Sequence, residues 1–319
     1  MAKLINMFIR RYKDSDRVVW DEFVKLAKVN HFFFLRDFME YHADRFEDYS
    51  LLIFDGNDKL FAVLPANISN GTLYSHQGLT FGGLVIKSSA KQKEVIDAFN
   101  TIKLFLKENG FVSLLYKKVP YIYNSQPFDE DLYSLFRIGA HLVRRDVSST
   151  IKINNQIKYS KGRKWVVKKA NSSGVAYGES HDLTEFWSNL SEVLMTGHQA
   201  KPVHTFDEIV SLVSLFPEQI KIYSACFNGV QVAGAVVFIT DAVAHTQYLY
   251  NTEVGRSIGA LDGLVDYLVK TVFVDKEYFD FGTSNEDQGR HLNEGLISQK
   301  EGFGARAVVH DFYEIKSND

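Results

Sequence analysis

The stretch YLYNTEVGRSIGALDGLVDYLV, from Tyr248 to Val269, predicts a strand, then a glycine-containing turn, then an apolar helix. Glycine lets a backbone approach a ligand closely, and the free N–H groups at the start of a helix suit an anion. The turn matches neither the GxGxxG dinucleotide-binding pattern nor the GxxxxGK[ST] phosphate loop. It therefore predicts either an anion site of another kind or a flexible connection.

The composition indicates an ordinary globular protein. A chain of 319 residues is long for one hydrophobic core, so two lobes are expected. The formal net charge of -3 argues against general nucleic-acid binding, which needs a basic surface. Cys226 is the single cysteine, which excludes an intramolecular disulfide and a cysteine-rich metal site. There is no HExxH motif and no histidine pair at ligand spacing, so no metal is expected.

Targeting signals are also missing from the sequence. The stretch MAKLINMFIRRYKDSD at the start lacks the apolar core and cleavage site of a signal peptide. The longest apolar run, VAGAVVFI at 232–239, is too short to span a bilayer. We therefore expect a cytoplasmic protein without membrane insertion, and a homodimer is left open.

The two halves of the chain have the same predicted order of elements. In the first half, WDEFVKLA and LRDFMEYHADRF are helix-like, and SLLIFDGNDKLFAVLPANI predicts a strand, a turn and a strand. A helix is then expected over SSAKQKEVIDAFNTIKLFLKENG, with Ser88 or Ser89 as its cap and Gly110 at its end, followed by the strand FVSLLYKKVP.

The second half repeats this order with different residues. LTEFWSNLSEVLM and TFDEIVSLVSLF predict helices, IKIYSACFNGVQVAGAVVFIT a hairpin, VAHTQYLYN a third strand and YFDFG a fourth. The fold class expected is α/β (α+β), with two tandem lobes at 1–150 and 151–319, each a mixed, largely antiparallel sheet flanked by helices. The turn between the third strand and the helix contains glycine only in the second lobe, which is therefore the better candidate for a phosphate-bearing ligand.

This element order resembles the GNAT acyltransferases, in which a Q/R-x-x-G-x-G/A turn holds the pyrophosphate of coenzyme A. Arg256 and Gly259 match that pattern, whereas Leu261 stands where a small residue is expected and Ala260 is one place early. The segments PVHTFDEIVSLVSLFPEQIKIYSACFNGVQVAG, YFDFGTSNEDQG and LNEGLISQKEGFGA resemble the FemAB-like branch, which has two fused GNAT-type lobes.

Within that branch the chain resembles the sugar N-acyltransferases of O-antigen and lipopolysaccharide clusters. The resemblance implies transfer of an acyl group, such as 3-hydroxybutanoyl or acetyl, from acyl-CoA to the amine of a dTDP-linked amino-deoxyhexose, for example dTDP-3-amino-3,6-dideoxyhexose. Two alternatives stay open: a FemAB-type peptidoglycan or peptide ligase that uses aminoacyl-tRNA, and a non-catalytic CoA-binding module. The first lobe would lie on the acceptor side, and the second would bind acyl-CoA.

The resemblance also assigns residues to acyl-CoA. Backbone groups of the third strand would pair with pantetheine, the glycine turn would hold pyrophosphate, and three later polar residues would add contacts. These cofactor-binding candidates are Tyr248, Leu249, Tyr250, Gly255, Arg256, Ser257, Ile258, Gly259, Ala260, Ser284, Asn285 and Lys300.

The acceptor and a general base need other side chains. Histidine is the natural base near neutral pH, and His76 and His204 are the catalytic candidates, against the alternatives of a hydrogen-bonded loop residue and a helix-entry residue. A base is not obligatory, because water could carry the proton. Candidates for binding the acceptor and its diphosphate are Tyr74, Ser75, Gln77, Lys161, Arg163, Lys164 and His198, although the lysines also fit a solvated basic helix face.

Overall fold

The computed structural model describes residues 7–318 and divides them into two compact units. The first unit comprises residues 7–146 and 309–318, and the second comprises 147–308. The boundary differs from the expected division at 150 because the last strand of the chain pairs with a strand of the first unit. No helix in the described range is both long enough and apolar enough to cross a membrane.

The described residues form seventeen strands. In chain order they are β1 (Phe8–Arg11), β2 (Glu47–Asp48), β3 (Leu51–Phe54), β4 (Leu60–Leu64), β5 (Asn67–Ser69), β6 (Thr72–Tyr74), β7 (Val85–Ile86), β8 (Ser113–Lys117), β9 (His141–Lys152), β10 (Ala176–Glu179), β11 (Ile220–Phe227), β12 (Val230–Ile239), β13 (Val243–Asn251), β14 (Tyr278–Thr283), β15 (Asn285–Glu286), β16 (His291–Leu292) and β17 (Arg306–Lys316).

They also form ten α-helices. These are α1 (Arg17–Lys25), α2 (Arg36–Met39), α3 (Gln92–Glu108), α4 (Glu130–Arg137), α5 (Lys161–Ser172), α6 (Leu183–His198), α7 (Phe206–Leu215), α8 (Glu253–Ile258), α9 (Ala260–Tyr267) and α10 (Glu294–Gly302).

The first unit contains two sheets, with strand orders β1-β3-β4-β7 and β17-β8-β6-β5-β2. The predicted strands around the Asp55–Lys59 turn and at FVSLLYKKVP are confirmed as β3, β4 and β8. Helix α3 begins at Gln92 and not at the predicted serine cap, because the Glu94 carboxylate accepts the N–H of Lys91 and forms the cap there. The segment predicted as a helix from Leu35 to Phe46 is helical only over α2.

The second unit has one main sheet of order β10-β11-β12-β13-β14-β9, in which only β13 and β14 pair in parallel. Asn228 and Gly229 both adopt positive φ, which closes the predicted β11–β12 hairpin with the twist that such turns favour. Thr205 caps α7, which is the helix predicted over TFDEIVSLVSLF, by exchanging hydrogen bonds with Glu208. These local elements are confirmed where their signals are strongest.

Small residues let α9 pack closely in the second unit. Ala233, Ala235 and Ala244 of the sheet are fully buried in a core cluster that includes residues of α5 and α9. At Gly263 an added Cβ would lie 1.9 Å from the Tyr177 hydroxyl, so that helix position requires glycine. This packing sets the position of α9 directly after the turn that follows β13.

Candidate functional site

The two parallel strands of the second unit separate after a short paired stretch. Val243, Ala244 and His245 of β13 pair with Tyr278, Phe279 and Asp280 of β14. Within the described strands, β13 has no ladder partner in β14 beyond His245, although it continues to Asn251. A bulge at Gln247 against β12 lies at the same place, and bulges bend the strand that carries them. The edge of β13 that faces β14 is therefore open beyond this fork.

A cavity of about 510 Å³ occupies the region beyond the fork. Its walls come from both strands and from the surrounding helices: Arg163, Val166, Val193, Leu194, Leu249, Tyr250, Asn251, Arg256, Leu261, Asp262, Val265, Phe281, Leu296, Gln299, Lys300 and Phe303. Mostly apolar walls with a few polar groups and this volume are typical of a small-molecule site. Five of the predicted site residues line it, and the other candidates of the second unit are described below: the five are Arg163, Leu249, Tyr250, Arg256 and Lys300.

Three cationic side chains lie in the cavity wall, and one of them is paired. Arg163 forms a salt bridge with Asp262, lies over the Phe303 ring at 4.5 Å and donates to the Gln299 carbonyl at 3.3 Å. Arg256 donates to the Asn251 carbonyl at 2.8 Å. The buried Oδ1 of Asn251 has no hydrogen-bond partner among the described residues. The wall thus offers positive charge and an unused acceptor to a ligand.

Lys300 is the third cation, and it is buried. Its ammonium donates to the carbonyls of Gly282 and Thr283, at 2.9 Å and 2.8 Å, at the end of β14. Burial lowers the pKa of Lys300 to about 8, against a smaller opposing effect of Asp280. The two hydrogen bonds hold the Lys300 ammonium at the end of β14. A contact between Lys300 and a phosphate of CoA remains a prediction.

The glycine turn contains a short helix, α8, in place of an open loop. Gly255 donates its N–H to the Thr252 hydroxyl at 3.1 Å, and an added Cβ there would lie 2.3 Å from the Val232 carbonyl oxygen. Gly259 has φ of 79° and an added Cβ would lie 2.5 Å from Val166. Close packing against Val232 and Val166 is therefore sufficient to require glycine at positions 255 and 259. The approach of a ligand is not needed to explain these two glycines.

Helix α9 begins directly after Gly259, which has no side chain to cap it. Ala260 is fully buried, Ile258 packs against the core, and Ser257 accepts the Lys169 ammonium on its carbonyl at 2.6 Å. Ser284 and Asn285 follow β14: the Asn285 side chain accepts the Val147 N–H at 2.7 Å, and the buried Ser284 hydroxyl has no partner within the described residues. Their ligand roles stay predictions.

Tyr248 and His204 contact each other. The His204 Nδ1 lies 2.6 Å from the Tyr248 hydroxyl, and the His204 N–H donates to that oxygen at 3.1 Å. Tyr248 also packs edge-on against Trp187 of α6, with ring centroids 5.3 Å apart. Both residues are buried and neither lines the cavity. His204 as a base stays a prediction.

A histidine–aspartate pair at the fork was missed from the sequence. His245 Nδ1 lies 2.7 Å from Oδ2 of Asp280, whose fully buried carboxylate also accepts from the hydroxyls of Ser148 and Thr150. A carboxylate only accepts, so Nδ1 carries the proton of this hydrogen bond and Nε2 lies on the opposite side of the ring. A Cβ on Gly282 would lie 3.2 Å from the His245 ring, next to the carbonyl that holds Lys300.

The candidates in the first unit form a network of their own. Ser75 accepts the Lys117 N–H at 2.7 Å, and Gln77 exchanges two hydrogen bonds with Asn67, both at 2.7 Å. Tyr74 pairs with Asn67 and Leu115 in the sheet. His76 is 3 % exposed and stacks on His42 at 5.1 Å. Burial, and then His42, lower the pKa of His76 to about 3, which makes it a weak base at neutral pH.

The low pKa of His76 predicts acid sensitivity. The folded value lies below the ordinary 6.5, so the unfolded chain binds more protons between those values and stability falls as the pH falls through about 6.5 towards 3. This single group should cost about 3 kcal/mol of unfolding free energy near pH 4.5. Urea unfolding of His76→Asn, with Asn chosen because it tolerates the positive φ at this position, should show less acid destabilisation than the wild type. An exposed-site control, His291→Asn, should not, and a His76→Asn difference that is constant with pH would contradict the assignment.

The basic residues of α5 are only partly at the cavity. Lys164 and Lys168 line a second, open cavity of about 390 Å³ with Lys270, and Lys161 is exposed at the helix start. His198 is the last residue of α6, and its side chain lies outside the described part of the structure. In residues 7–318, no group of three or more His, Cys, Asp or Glu side chains is arranged to hold a metal.

Comparison with known proteins supports the fold and leaves the chemistry open. No family model and no curated protein matches the sequence. Among solved structures, the chain is similar to FemX (9% identity, 95% of this chain and 96% of that chain, TM-score 0.66). It is also similar to L-PGS from Bacillus licheniformis (12%, 97% and 94%, TM-score 0.63) and to a tandem GNAT protein from the clavulanic acid biosynthesis pathway (10%, 98% and 99%, TM-score 0.52). The expected α/β class is confirmed, and the chain has the fold shared by FemX and the tandem GNAT proteins.

Proposed function

We propose that the chain is an N-acyltransferase that moves an acyl group from acyl-CoA to an amine. The observation that carries this proposal is the fork between β13 and β14, with its cavity along the open edge of Leu249 to Asn251. An extended pantetheine chain can add to an open strand edge through backbone hydrogen bonds, as a peptide strand does. The unpartnered Asn251 Oδ1 offers one further acceptor for its amides.

The diphosphate of CoA would lie at the other end of the cavity. Arg163 and Arg256 provide positive charge there, and the first turn of α9 has N–H groups without a side-chain cap. Guanidinium groups bind phosphate oxygens in a paired geometry. Arg256 and the first N–H groups of α9, including that of Ala260, would bind the diphosphate here. Gly259 would contribute by allowing α9 to begin at this point.

The chemistry needs a neutral amine, a stabilised oxyanion and a protonated leaving group. The amine nitrogen attacks the thioester carbon, a C–N bond forms, and the carbonyl oxygen becomes negative beside a backbone N–H of β13. His245 lies at the fork but outside the cavity lining, so it would take the proton released by the amine through a bridging water, and Asp280 holds the ring and stabilises its charge. The C–S bond then breaks. Lys300, with a pKa of about 8 that is close to that of a thiol, supplies the proton to the sulfur.

The acceptor we propose is a dTDP-linked amino-deoxyhexose, and it rests on the sequence resemblance. The exposed Lys161 and Lys164 support a diphosphate-bearing acceptor by their charge, whereas Arg163 is assigned to CoA. Transfer from aminoacyl-tRNA is the second candidate, because the folds of FemX and L-PGS fit it about equally well. A CoA-binding module without catalysis is the third.

A screen with two substrates tests the proposal. The protein is incubated with acetyl-CoA or 3-hydroxybutanoyl-CoA and a panel of dTDP-amino sugars, and products are followed by mass spectrometry. We expect free CoA and N-acylated sugar in equal amounts, only when both substrates are present. Transfer from charged tRNA alone would establish the second candidate, and tight CoA binding without turnover would establish the third. Either result would contradict acyl-CoA-dependent transfer to sugars.

A further inference from the structure

We propose that Trp165 and the groove beside it form a platform on which the adenosine of CoA stacks. The inference rests on the proposed use of CoA and deepens it by assigning a site to the nucleotide half of that molecule. Trp165 lies in the middle of α5 and is 64% exposed, whereas Trp20 and Trp187 are buried. A large aromatic ring exposed on a helix loses the free energy that its burial would provide, so a ligand that covers it gains that energy.

The groove beside the indole is open to solvent, and three of its lining residues are glycines. It has a volume of about 570 Å³ and is lined, besides Trp165, by Ser160, Gly162, Arg163, Val166, Gly295, Ser298, Gln299 and Gly302. A Cβ on Gly162 would meet no atom within 4 Å, so protein packing does not require glycine at this helical position. Glycine in a helix costs roughly 0.5–1 kcal/mol relative to alanine. Its presence keeps the groove open next to the ring.

The groove is continuous with the cavity at the fork. Arg163, Val166 and Gln299 line both, and Val166 contacts Gly259 at the start of α9. A molecule with its thioester at the fork and its diphosphate near α9 would therefore continue past Val166 to Trp165. The buried Nε of Arg163 makes no hydrogen bond within the described residues and lies next to the groove floor, 3.4 Å from where a Cβ on Gly302 would be.

Charge in this region suits a nucleotide that carries phosphates. The Lys169 ammonium lies 5.6 Å from the centroid of the Trp165 ring, and Lys161 is exposed at the start of the same helix, whereas Lys164 and Lys168 line the other open cavity. Adenine stacks on aromatic rings without needing base-specific hydrogen bonds, and lysines attract the adjoining phosphate. The combination of an exposed ring, an open groove and the nearby ammonium of Lys169 fits adenosine 3′-phosphate better than it fits an apolar partner.

Binding measurements on matched variants test the platform. Calorimetry is carried out with CoA, with phosphopantetheine, which lacks the adenosine, and with an acceptor-stem RNA whose terminal nucleotide is adenosine. Trp165→Ala should weaken CoA binding roughly 5- to 150-fold, which corresponds to the loss of one stacked base, and Trp165→Phe should retain most of the affinity. Phosphopantetheine should bind equally to all variants. Phe136→Ala, which removes another exposed aromatic ring, is the control and should change nothing.

A second variant fills the groove without removing the ring. Gly162→Leu should weaken CoA binding while the helix becomes more stable, because leucine has the higher helix propensity. In turnover assays both variants should raise the KM for acyl-CoA and leave kcat unchanged, which is the signature of lost uniform binding.

The outcomes separate the platform from the proposed function. Unchanged CoA affinity in Trp165→Ala and Gly162→Leu, with normal turnover, would overturn the platform and leave the acyltransfer proposal intact. Equal weakening of phosphopantetheine would also overturn it. If CoA fails to bind and only the RNA responds to Trp165→Ala, both the acyl-CoA function and the assignment to CoA fail. If neither CoA nor the RNA binds, the platform is also overturned.

Discussion

Replacing His245 with glutamine should lower kcat for acyl transfer by roughly 100- to 10,000-fold, the usual contribution of a positioned general base. His245 lies at the last residue pair of β13 and β14, with Nδ1 held by Asp280 and Nε2 free of that bond. The variant removes the proton acceptor but leaves the cavity walls, so affinity for acyl-CoA should not change. The pH–rate profile should also change, because the positioned base is gone.

Three variants are the comparisons for this experiment. Asp280→Asn should lower kcat less than His245→Gln does and alter the pH profile, since Asp280 acts through the imidazole. His291→Gln, at an exposed site, should match the wild type. His204→Gln tests the base predicted from the sequence. A His245→Gln enzyme with full activity and an unchanged pH profile would remove His245 from the chemistry, and loss of activity in His204→Gln alone would restore His204.

Asp262→Ala should destabilise the protein by about 3–5 kcal/mol. Asp262 is buried and pairs with Arg163, so the substitution leaves an uncompensated guanidinium in the cavity wall. It also removes a carboxylate from the first turn of α9, where negative charge is favourable. Chemical denaturation measures the loss. A change below about 1 kcal/mol would show that the pair contributes little, as exposed pairs do.

A double variant separates the structural role of this pair from its binding role. Arg163→Met combined with Asp262→Leu replaces both charges with apolar groups of similar size, which is often neutral or stabilising for buried pairs. We expect stability near that of the wild type together with weaker binding of CoA, because the cation assigned to the diphosphate is gone. Unchanged CoA affinity in the double variant would mean that Arg163 serves the fold alone.

Local signals in the sequence were sufficient for much of the fold. The Asn228-Gly229 turn, the Thr205–Glu208 capping pair and the extent of β13 depend on residues a few positions apart, and the structure has them as predicted. The pairing of β17 with β8 joins residues almost two hundred positions apart, for which no local pattern exists. Because of this pairing, the end of the chain belongs to the first unit and not, as the sequence had suggested, to the second.

The site was less predictable for the same physical reason. His245 and Asp280 are 35 residues apart, and their contact exists only because β13 and β14 pair in parallel with one particular register. A signal was present in β14: Asp280 is a carboxylate between two phenylalanines, and a buried carboxylate needs a partner. At the glycine turn, the sequence did not show that Val232 and Val166 of the chain itself require glycine at 255 and 259, and the contact of both glycines with CoA stays a prediction.

The most direct test of the central claim is a crystal structure with a non-hydrolysable thioether analogue of acyl-CoA. We expect the analogue to lie in the fork, with its carbonyl oxygen within about 3 Å of a backbone N–H of β13 between Gln247 and Asn251. The pantetheine amides should pair with the open edge of that strand, and the reactive carbon should face His245. An analogue bound outside the cavity between β13 and β14, or a fork closed by strand pairing, would contradict the account.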